Sequence, residues 1–252
     1  MIEKTARVRA VEPIAPGVVR VDLAMVEPGS LDFRPGQFVS VRLPRRGPPG
    51  AFGAGRAARR SFSIASPAAR TTGFELILRA DGAGESARFA SALRPDHEVQ
   101  FFGPMGFFSC AAEHRGDVVF VATGVGVAPM FPMLDEVLAR PARVENGRVH
   151  LYWGVRREAD LFFIDRLEAL TRRSQRFQYT VSLSSPPADW TGPRGRITTV
   201  VLAAAPTFDD PIYYLCGRDD MIRDVTRGLE RLGGHDTGRV RSEAFSATVA
   251  VG

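Results

Sequence analysis

The sequence has few of the residues that build metal centres. Its 252 residues include only two cysteines and four histidines. Cys110 and Cys216 lie far apart and match no CxxC spacing, and the histidines are scattered along the chain. Zinc sites and iron–sulfur clusters need such residues at short, regular spacings. We therefore expect no metal site here.

Long apolar runs are also missing. The longest, Val118 to Leu134, is interrupted by two glycines and two prolines, which makes it a poor membrane span. The first residues, MIEKTARVRAVEP, carry charges where a secretory signal would have its apolar segment. We expect a cytoplasmic protein with no membrane partner.

Lysine is nearly absent, because Lys4 is the only one among 33 basic residues. With 28 acidic residues the formal net charge is +5, and a basic chain raises the question of nucleic-acid binding. The arginines are spread among alanines and glycines, however, so we expect no nucleic-acid partner. A basic face for an acidic protein partner stays open.

The first 110 residues consist of short strand-like segments separated by turn residues. A helical segment, GESARFASALRP at 84–95, interrupts them, and the Gly-, Pro- and Arg-rich stretch from Arg45 to Arg59 is typical of a mobile loop. This pattern predicts an antiparallel barrel or sandwich. The six predicted strands cover residues 6–12, 18–24, 37–44, 60–66, 74–80 and 98–103.

After that point strands and helices alternate, and the strands are continuous apolar runs of the kind buried in parallel sheets. The pattern predicts a parallel α/β sheet. We predict two domains, residues 1–112 and 113–252. The predicted strands cover residues 118–122, 149–155, 177–183 and 212–216, and the helices about 128–139, 160–170, 197–205 and 219–232.

The segment RRSFSIAS (residues 59–66) lacks the alternation of a half-buried strand. An arginine, a phenylalanine and an isoleucine share one side, and two serines and an alanine share the other, so neither side is a clean core face. This irregular strand indicates a ligand that binds a cation, an aromatic ring and small hydroxyl groups within four residues, and the question is which ligand that is.

The segment VVFVATGVGVAPMFPML places an apolar strand, a glycine-rich turn and a helix in succession. Gly124 and Gly126 would let the backbone approach a pyrophosphate, and the helix start offers free N–H groups. In a doubly wound sheet, Thr123 and Cys216, at the ends of two buried strands, would face one crevice. The alternatives are a tight turn without a ligand and a Cys216 that is only a small buried apolar residue.

Seven segments occur in the order expected of the ferredoxin–NAD(P) reductase superfamily: RRSFSIAS, GAGESARF, FFGPMG, ATGVGVAP, LYWGVRREADL, CGRDDM and SEAF. The chain resembles this family over nearly its whole length. The resemblance implies a six-stranded antiparallel barrel that holds FAD, followed by a parallel-sheet domain that holds a nicotinamide nucleotide.

The resemblance also implies the flavin site. Arg60 would bind the pyrophosphate, Phe62 would lie against the isoalloxazine, and Ser63 would hydrogen-bond near N5. Ser86 would give a second phosphate contact, with a simple helix-start role as its alternative. The family usually has tyrosine at the Phe62 position, so one hydroxyl contact is missing here. The residues implied for FAD are Arg60, Ser61, Phe62, Ser63, Ile64, Gly84, Glu85, Ser86 and Phe245.

The implied reaction is hydride transfer from C4 of the nicotinamide to N5 of the flavin. Ser63 and Cys216 would flank the transfer site, neither acting as a covalent nucleophile, and Glu243 matches an acidic residue near the end of many family members. These three are the candidate catalytic residues. The residues implied for NAD(P) are Thr123, Gly124, Val125, Gly126, Cys216, Gly217 and Met221.

Three functions stay open: a reductase for a ferredoxin or oxygenase component, a flavin reductase that releases reduced flavin, and an electron-transfer subunit of a larger complex. A subunit that binds an iron–sulfur cluster through a cysteine-rich tail is disfavoured, because the last residues of this sequence contain no cysteine. We expect NADH to be preferred, with NADPH possible, because Ser184 and Ser185 stand where NADPH-using members have a Ser-Arg pair. Arg156 and Arg157 are the cations that would reverse this preference.

Overall fold

The structure is a computed structural model that describes residues 2–43, 58–111, 114–139, 147–233 and 237–245. The chain divides into two compact units, Met1–Ser109 and Cys110–Gly252. Most of the predicted loop between Arg45 and Arg59, and the residues after Phe245, lie outside the described residues. Within the described part, no helix is both long and apolar enough to cross a membrane.

The first unit is an antiparallel sheet of six strands in the order β4-β3-β6-β1-β2-β5. Its two edge strands meet where Ile64 and Leu76 form a bridge, and the Ala65 N–H donates to the Glu75 carbonyl at 2.9 Å. This contact closes the sheet, so the prediction of a six-stranded antiparallel barrel is confirmed. The strands are β1 (Lys4–Ala15), β2 (Val18–Glu27), β3 (Phe38–Arg42), β4 (Arg59–Ser63), β5 (Gly73–Arg79) and β6 (Glu98–Met105).

Helix α1 (Glu85–Ala92) lies between β5 and β6 in the sequence and packs on the barrel. Its small buried residues Ala87 and Ala90 allow close approach, and Ala90 joins the barrel core. That core holds inward-facing residues from five of the strands, together with Ile64, which directly follows β4: Val8, Leu23, Val41, Ile64, Leu76 and Phe101 are among them. Because α1 is fixed by this packing, its first turn is held beside strand β4.

The second unit is a five-stranded, fully parallel sheet in the order β11-β10-β7-β8-β9. The chain builds outward from β7 to β9 and then crosses back to place β10 and β11 on the other side of β7. In such doubly wound sheets the ligand crevice lies where the order reverses, at the carboxyl ends of the strands. The strands are β7 (Val118–Thr123), β8 (Val149–Val155), β9 (Phe177–Leu183), β10 (Ile212–Gly217) and β11 (Val240–Ala244).

Helices cover both faces of this sheet. On one face Val121 and Leu215 pack into a core with residues of α4 and α5. On the other face Trp153 meets Phe162, and Phe162 meets Phe131 of α2, with ring centroids 5.0 Å and 6.4 Å apart. The parallel α/β prediction is therefore confirmed. The helices are α2 (Met130–Ala139), α3 (Ile164–Arg173), α4 (Ile197–Ala204) and α5 (Asp219–Leu232).

A buried carboxylate organises the amino ends of the strands, opposite the crevice. Asp117 is only 2% exposed. Its carboxylate accepts hydrogen bonds from the Arg148 backbone N–H and guanidinium and from the Asp209 N–H, at 2.6 to 3.0 Å. A buried charge is tolerated only when it is paired in this way, and the pairing ties β7 to the residues before β8 and β10.

Candidate active site

The structure brings Arg60 of β4 to the first turn of α1. The Arg60 Nη2 atom lies 2.7 Å from the Glu85 carboxylate, and Nη1 donates to the Arg59 carbonyl at 2.8 Å. Glu85 is the first residue of α1 and follows Gly84. Two motifs 25 residues apart, each predicted separately to meet phosphate, therefore lie side by side.

The rest of the irregular strand divides by exposure. Ser61 is exposed, Ser63 is only 5% exposed, and Ile64 is a core residue of the barrel. Phe62 is half-buried against that core, and its ring is stacked on Phe89 of α1, with centroids 6.0 Å apart. The ring of Phe62, which is predicted to lie against the isoalloxazine, is therefore supported by a residue of α1.

The glycine-rich turn after β7 forms a tight 3₁₀ turn over Gly124–Val127. Gly124 has φ +53°, a conformation that glycine adopts without strain. The Trp153 indole N–H donates to the Gly124 carbonyl at 2.9 Å, and the Trp153 side chain is fully buried. A rigid aromatic residue of β8 therefore fixes the turn predicted to hold the nucleotide.

The turns that follow β7 and β10 pack directly on each other. A Cβ atom at Gly126 would lie 2.4 Å from the Cys216 carbonyl oxygen, and one at Gly217 would lie 2.3 Å from the Thr123 Oγ1 atom. Thr123 Oγ1 also accepts a hydrogen bond from the Arg218 N–H at 2.9 Å. Glycine is required at both positions because larger residues would push the two turns apart.

Cys216 is fully buried, opposite Ala122 of β7 and Glu243 of β11 in the sheet register. Burial, together with the Glu243 carboxylate, raises the pKa of the Cys216 thiol well above its ordinary value. The thiol is therefore neutral at neutral pH, and a neutral thiol is a poor nucleophile. This fits the expectation that Cys216 makes no covalent bond during the reaction.

The end of the described chain returns to the same place. The Phe245 N–H donates to the Gly217 carbonyl at 2.7 Å, which continues the pairing of β11 with β10. Met221 instead packs into the core between the sheet and α5, where it is 4% exposed. Its assignment to the nucleotide stays a prediction, without support from this position.

Sequence reasoning missed three residues that shape this crevice. Trp153 had a signal, because a buried indole N–H needs an acceptor. Arg218 and Asp220 form a two-bond ion pair at the start of α5, with both N–O distances 2.9 Å. The Arg218 guanidinium is the main reason that the pKa of Asp220 is lowered to about 2. The signal in the sequence was an arginine and an aspartate two residues apart, directly after Cys216 and Gly217.

The start of α1 and the glycine-rich turn after β7 both suit a phosphate-bearing cofactor. A Cβ atom placed at Gly84 or Gly124 would meet no neighbouring atom within 4 Å among the described residues, so a ligand has room to approach the backbone. The start of α1 supplies free N–H groups, and Arg60 supplies a planar cation that matches phosphate. The donor sets therefore fit FAD in the first unit and a nicotinamide nucleotide in the second.

Comparison with known proteins gives the same division. Residues 5–110 match the family model of the oxidoreductase FAD-binding domain, and residues 120–227 match that of the oxidoreductase NAD-binding domain. These matches define the class of protein: an oxidoreductase that binds FAD and a nicotinamide nucleotide.

Similar proteins narrow the class. Ferredoxin–NADP reductase B of Sorangium cellulosum is 31% identical over 232 residues, which cover 88% of this chain and 91% of that protein. The propane 2-monooxygenase reductase component of Mycolicibacterium smegmatis is 30% identical over 223 residues, 86% of this chain but 60% of that protein. The crystal structure of the Amycolatopsis cytochrome P450 reductase GcoB superposes with a TM-score of 0.82 at 28% identity, covering 97% of this chain and 70% of that one.

The chain belongs to the ferredoxin–NAD(P) reductase superfamily. It is an NAD(P)H-dependent FAD oxidoreductase, and the predictions of the family, the enzyme class and both cofactors are confirmed. The chain spans about 60% of the length of the monooxygenase reductase components that it matches.

Proposed function

We propose that this chain transfers a hydride from NADH or NADPH to FAD and passes the electrons to a separate redox protein, a ferredoxin or an oxygenase component. The observation that carries the proposal is the packing of the Gly124–Val127 turn on the Cys216–Gly217 end of β10. This packing supports the proposal, because it brings the ends of two neighbouring parallel strands together in a chain whose first unit matches the FAD-binding domain model. Relatives at 30% identity or more that are themselves reductases of this kind support it.

In the barrel, Arg60 is proposed to bind the FAD diphosphate together with Ser86 and the N–H groups at Gly84 and Glu85. Phe62 is proposed to support the flavin ring, and the buried Ser63 to hydrogen-bond near N5. Ser61 and Ile64 would contribute through the backbone. When bound, FAD supplies a ring that accepts a hydride and gives up electrons singly.

In the second unit, the proposed role of the turn from Thr123 to Gly126 is to bind the nucleotide diphosphate. Cys216 and Gly217 are proposed to pack against the nicotinamide, where their rigid support limits its freedom and favours one reactive geometry. Glu243 of β11 and Phe245, which directly follows that strand, are proposed to complete the active site.

Charge supports an acidic protein as the electron acceptor. Residues 1–109 hold 15 basic and 10 acidic side chains, whereas residues 110–252 hold 18 of each. The whole formal net charge of +5 therefore belongs to the FAD-binding unit, and complementary charge speeds association with an acidic partner. A cytoplasmic location is part of this proposal, because Cys216 stays a thiol in the protein core and thiols persist in reducing compartments.

The test is acceptor choice. With NADH as donor, the rate of reduction of an acidic ferredoxin should exceed that of added free flavin, and the ferredoxin rate should fall as salt is raised, because salt screens exposed charges. Equal rates with free flavin and no salt dependence would remove the protein acceptor from the proposal.

A flavin reductase that releases its product is the second candidate, and one observation favours it. Arg60, the cation proposed for the FAD diphosphate, already has the Glu85 carboxylate as a partner at 2.7 Å. An internal anion at that place weakens the hold on FAD. Equal use of riboflavin, FMN and FAD as exchangeable substrates would move this candidate ahead.

A further inference from the structure

The amino end of α1 contains an anion of its own. Glu85 is the first residue of the helix, where a carboxylate is stabilised by the free N–H groups and the helix dipole. The same groups are those proposed for the FAD diphosphate. Two negative groups at one helix start repel each other, so the carboxylate and the phosphate are alternatives.

The Glu85 carboxylate also occupies the side chain that is proposed to bind the diphosphate, Arg60. Both terminal nitrogens of Arg60 are engaged, Nη2 by Glu85 and Nη1 by the Arg59 carbonyl. The paired arrangement that gives arginine its strong grip on phosphate uses two parallel N–H groups. Arg60 has five N–H groups and can still reach a phosphate while it is bonded to Glu85, but the phosphate then shares the Nη2 atom with a carboxylate.

The site nevertheless keeps a positive balance. Arg88, in the first turn of α1, donates to the Ala83 carbonyl and so holds a second guanidinium at the same turn. With Arg60 it outweighs the single carboxylate. The Arg60 and Glu85 side chains are 26% and 37% exposed, so their pair can open to solvent without leaving a buried charge.

We propose that Glu85 is an internal competitor of the FAD diphosphate for Arg60, which lowers the affinity for FAD without preventing its retention. This inference rests on the proposed flavin site and adds to it a residue that sets the affinity for FAD. Glu85 contributes its backbone N–H to the phosphate and opposes the phosphate with its side chain.

The test is to remove the flavin from the protein and to measure how tightly added flavin binds again, using the quenching of flavin fluorescence as the signal. Glu85→Gln should bind FAD at least about fivefold more tightly than the wild type, which corresponds to about 1 kcal/mol. Riboflavin, which has no phosphate, should bind both proteins equally. High salt should reduce the gain.

Two further variants isolate the cause. Glu98→Gln removes the same charge from the same unit at a carboxylate that pairs with Arg7, and it should leave FAD affinity unchanged. In an Arg60→Gln background, the additional Glu85→Gln change should give a clearly smaller gain.

The outcomes separate the two claims. If the wild type binds no FAD, the proposed flavin site itself is wrong. If the wild type binds FAD but Glu85→Gln binds it equally or more weakly, the site stands and the competition is refuted. A full gain in the Arg60→Gln background, or an equal gain for riboflavin, would also refute competition for Arg60.

Discussion

Gly126 offers the sharpest test of the nucleotide crevice. A Cβ atom there would lie 2.4 Å from the Cys216 carbonyl oxygen and 2.7 Å from the Gly217 Cα atom. Ordinary contacts of a Cβ atom begin near 3.4 Å, so Gly126→Ala must separate the two turns by about 1 Å. Both obstacles are backbone atoms, which cannot rotate away as a side chain would.

Two effects follow from this displacement. Overpacking of a buried position should lower the free energy of unfolding by about 1 to 3 kcal/mol. A misplacement of about 1 Å in a group that positions a substrate can slow reaction about 100-fold. FAD content should stay at the wild-type level, because Gly126 lies outside the barrel.

The assay has three readouts: bound FAD, thermal unfolding, and stopped-flow reduction of the flavin by saturating NADH under anaerobic conditions. Gly29→Ala is the matched control, since a Cβ atom there meets nothing within 4 Å among the described residues. Reduction by Gly126→Ala at the wild-type rate, with unchanged unfolding, would refute the contact between the two turns.

Four other predictions follow. Arg60→Ala should lose most of its FAD, since a charge-assisted hydrogen bond contributes about 1.5 to 3 kcal/mol; full retention on gel filtration would argue against the phosphate role. Cys216→Ala should keep its FAD but be reduced more slowly by NADH, and an unchanged stopped-flow rate would leave Cys216 a packing residue only. NADH should have the higher kcat/KM; a tenfold preference for NADPH that Arg156→Ala or Arg157→Ala abolishes would reverse the assignment. Burial, with a smaller effect from the Arg148 charge, lowers the pKa of His150 to about 4. The neutral imidazole is therefore fully accommodated above pH 6.5, and the free energy of unfolding should fall by up to about 3 kcal/mol as the pH is lowered towards 4. A His150→Gln variant with the same acid unfolding curve as the wild type would contradict this.

The prediction of NADH over NADPH depends on a local arrangement of two loops. The Ser184 and Ser185 N–H groups donate to the carbonyls of Val155 and Arg156, at 3.0 and 2.8 Å. The loop that lacks the expected arginine is therefore bonded to the loop that contains Arg156. Arg194, the next arginine along the chain, donates to two loop carbonyls instead.

The strands that were easiest to predict are those buried on both faces. The prediction for β8 matches the structure residue for residue, because a continuous apolar run with polar flanks defines its own ends. The prediction for β9 also matches, although β9 is an edge strand that is exposed at Gln178 and only half-buried at Tyr179 and Thr180. The helix at 219–232 was equally clear. The prediction for α3 began four residues early, because residues 158–160 form a separate 3₁₀ turn.

Other features depend on contacts between distant parts of the sequence. Strand β11, Val240–Ala244, was missed because VRSEA is mostly polar; it lies at the edge of the sheet, beside β10. The motifs around Arg60 and Glu85 each pointed to phosphate, but their ion pair arises only when the barrel places β4 beside α1. The Trp153 bond to Gly124 likewise requires β8 to lie next to β7.

The central claim is that one chain holds FAD and reduces it with a nicotinamide nucleotide. Anaerobic titration of the purified protein with NADH, monitored by flavin absorbance, tests it most directly. We expect about one FAD per chain and loss of the oxidised flavin spectrum with about one equivalent of NADH. A protein that takes up no flavin, or a bound flavin that stays oxidised with excess NADH and NADPH, would contradict it.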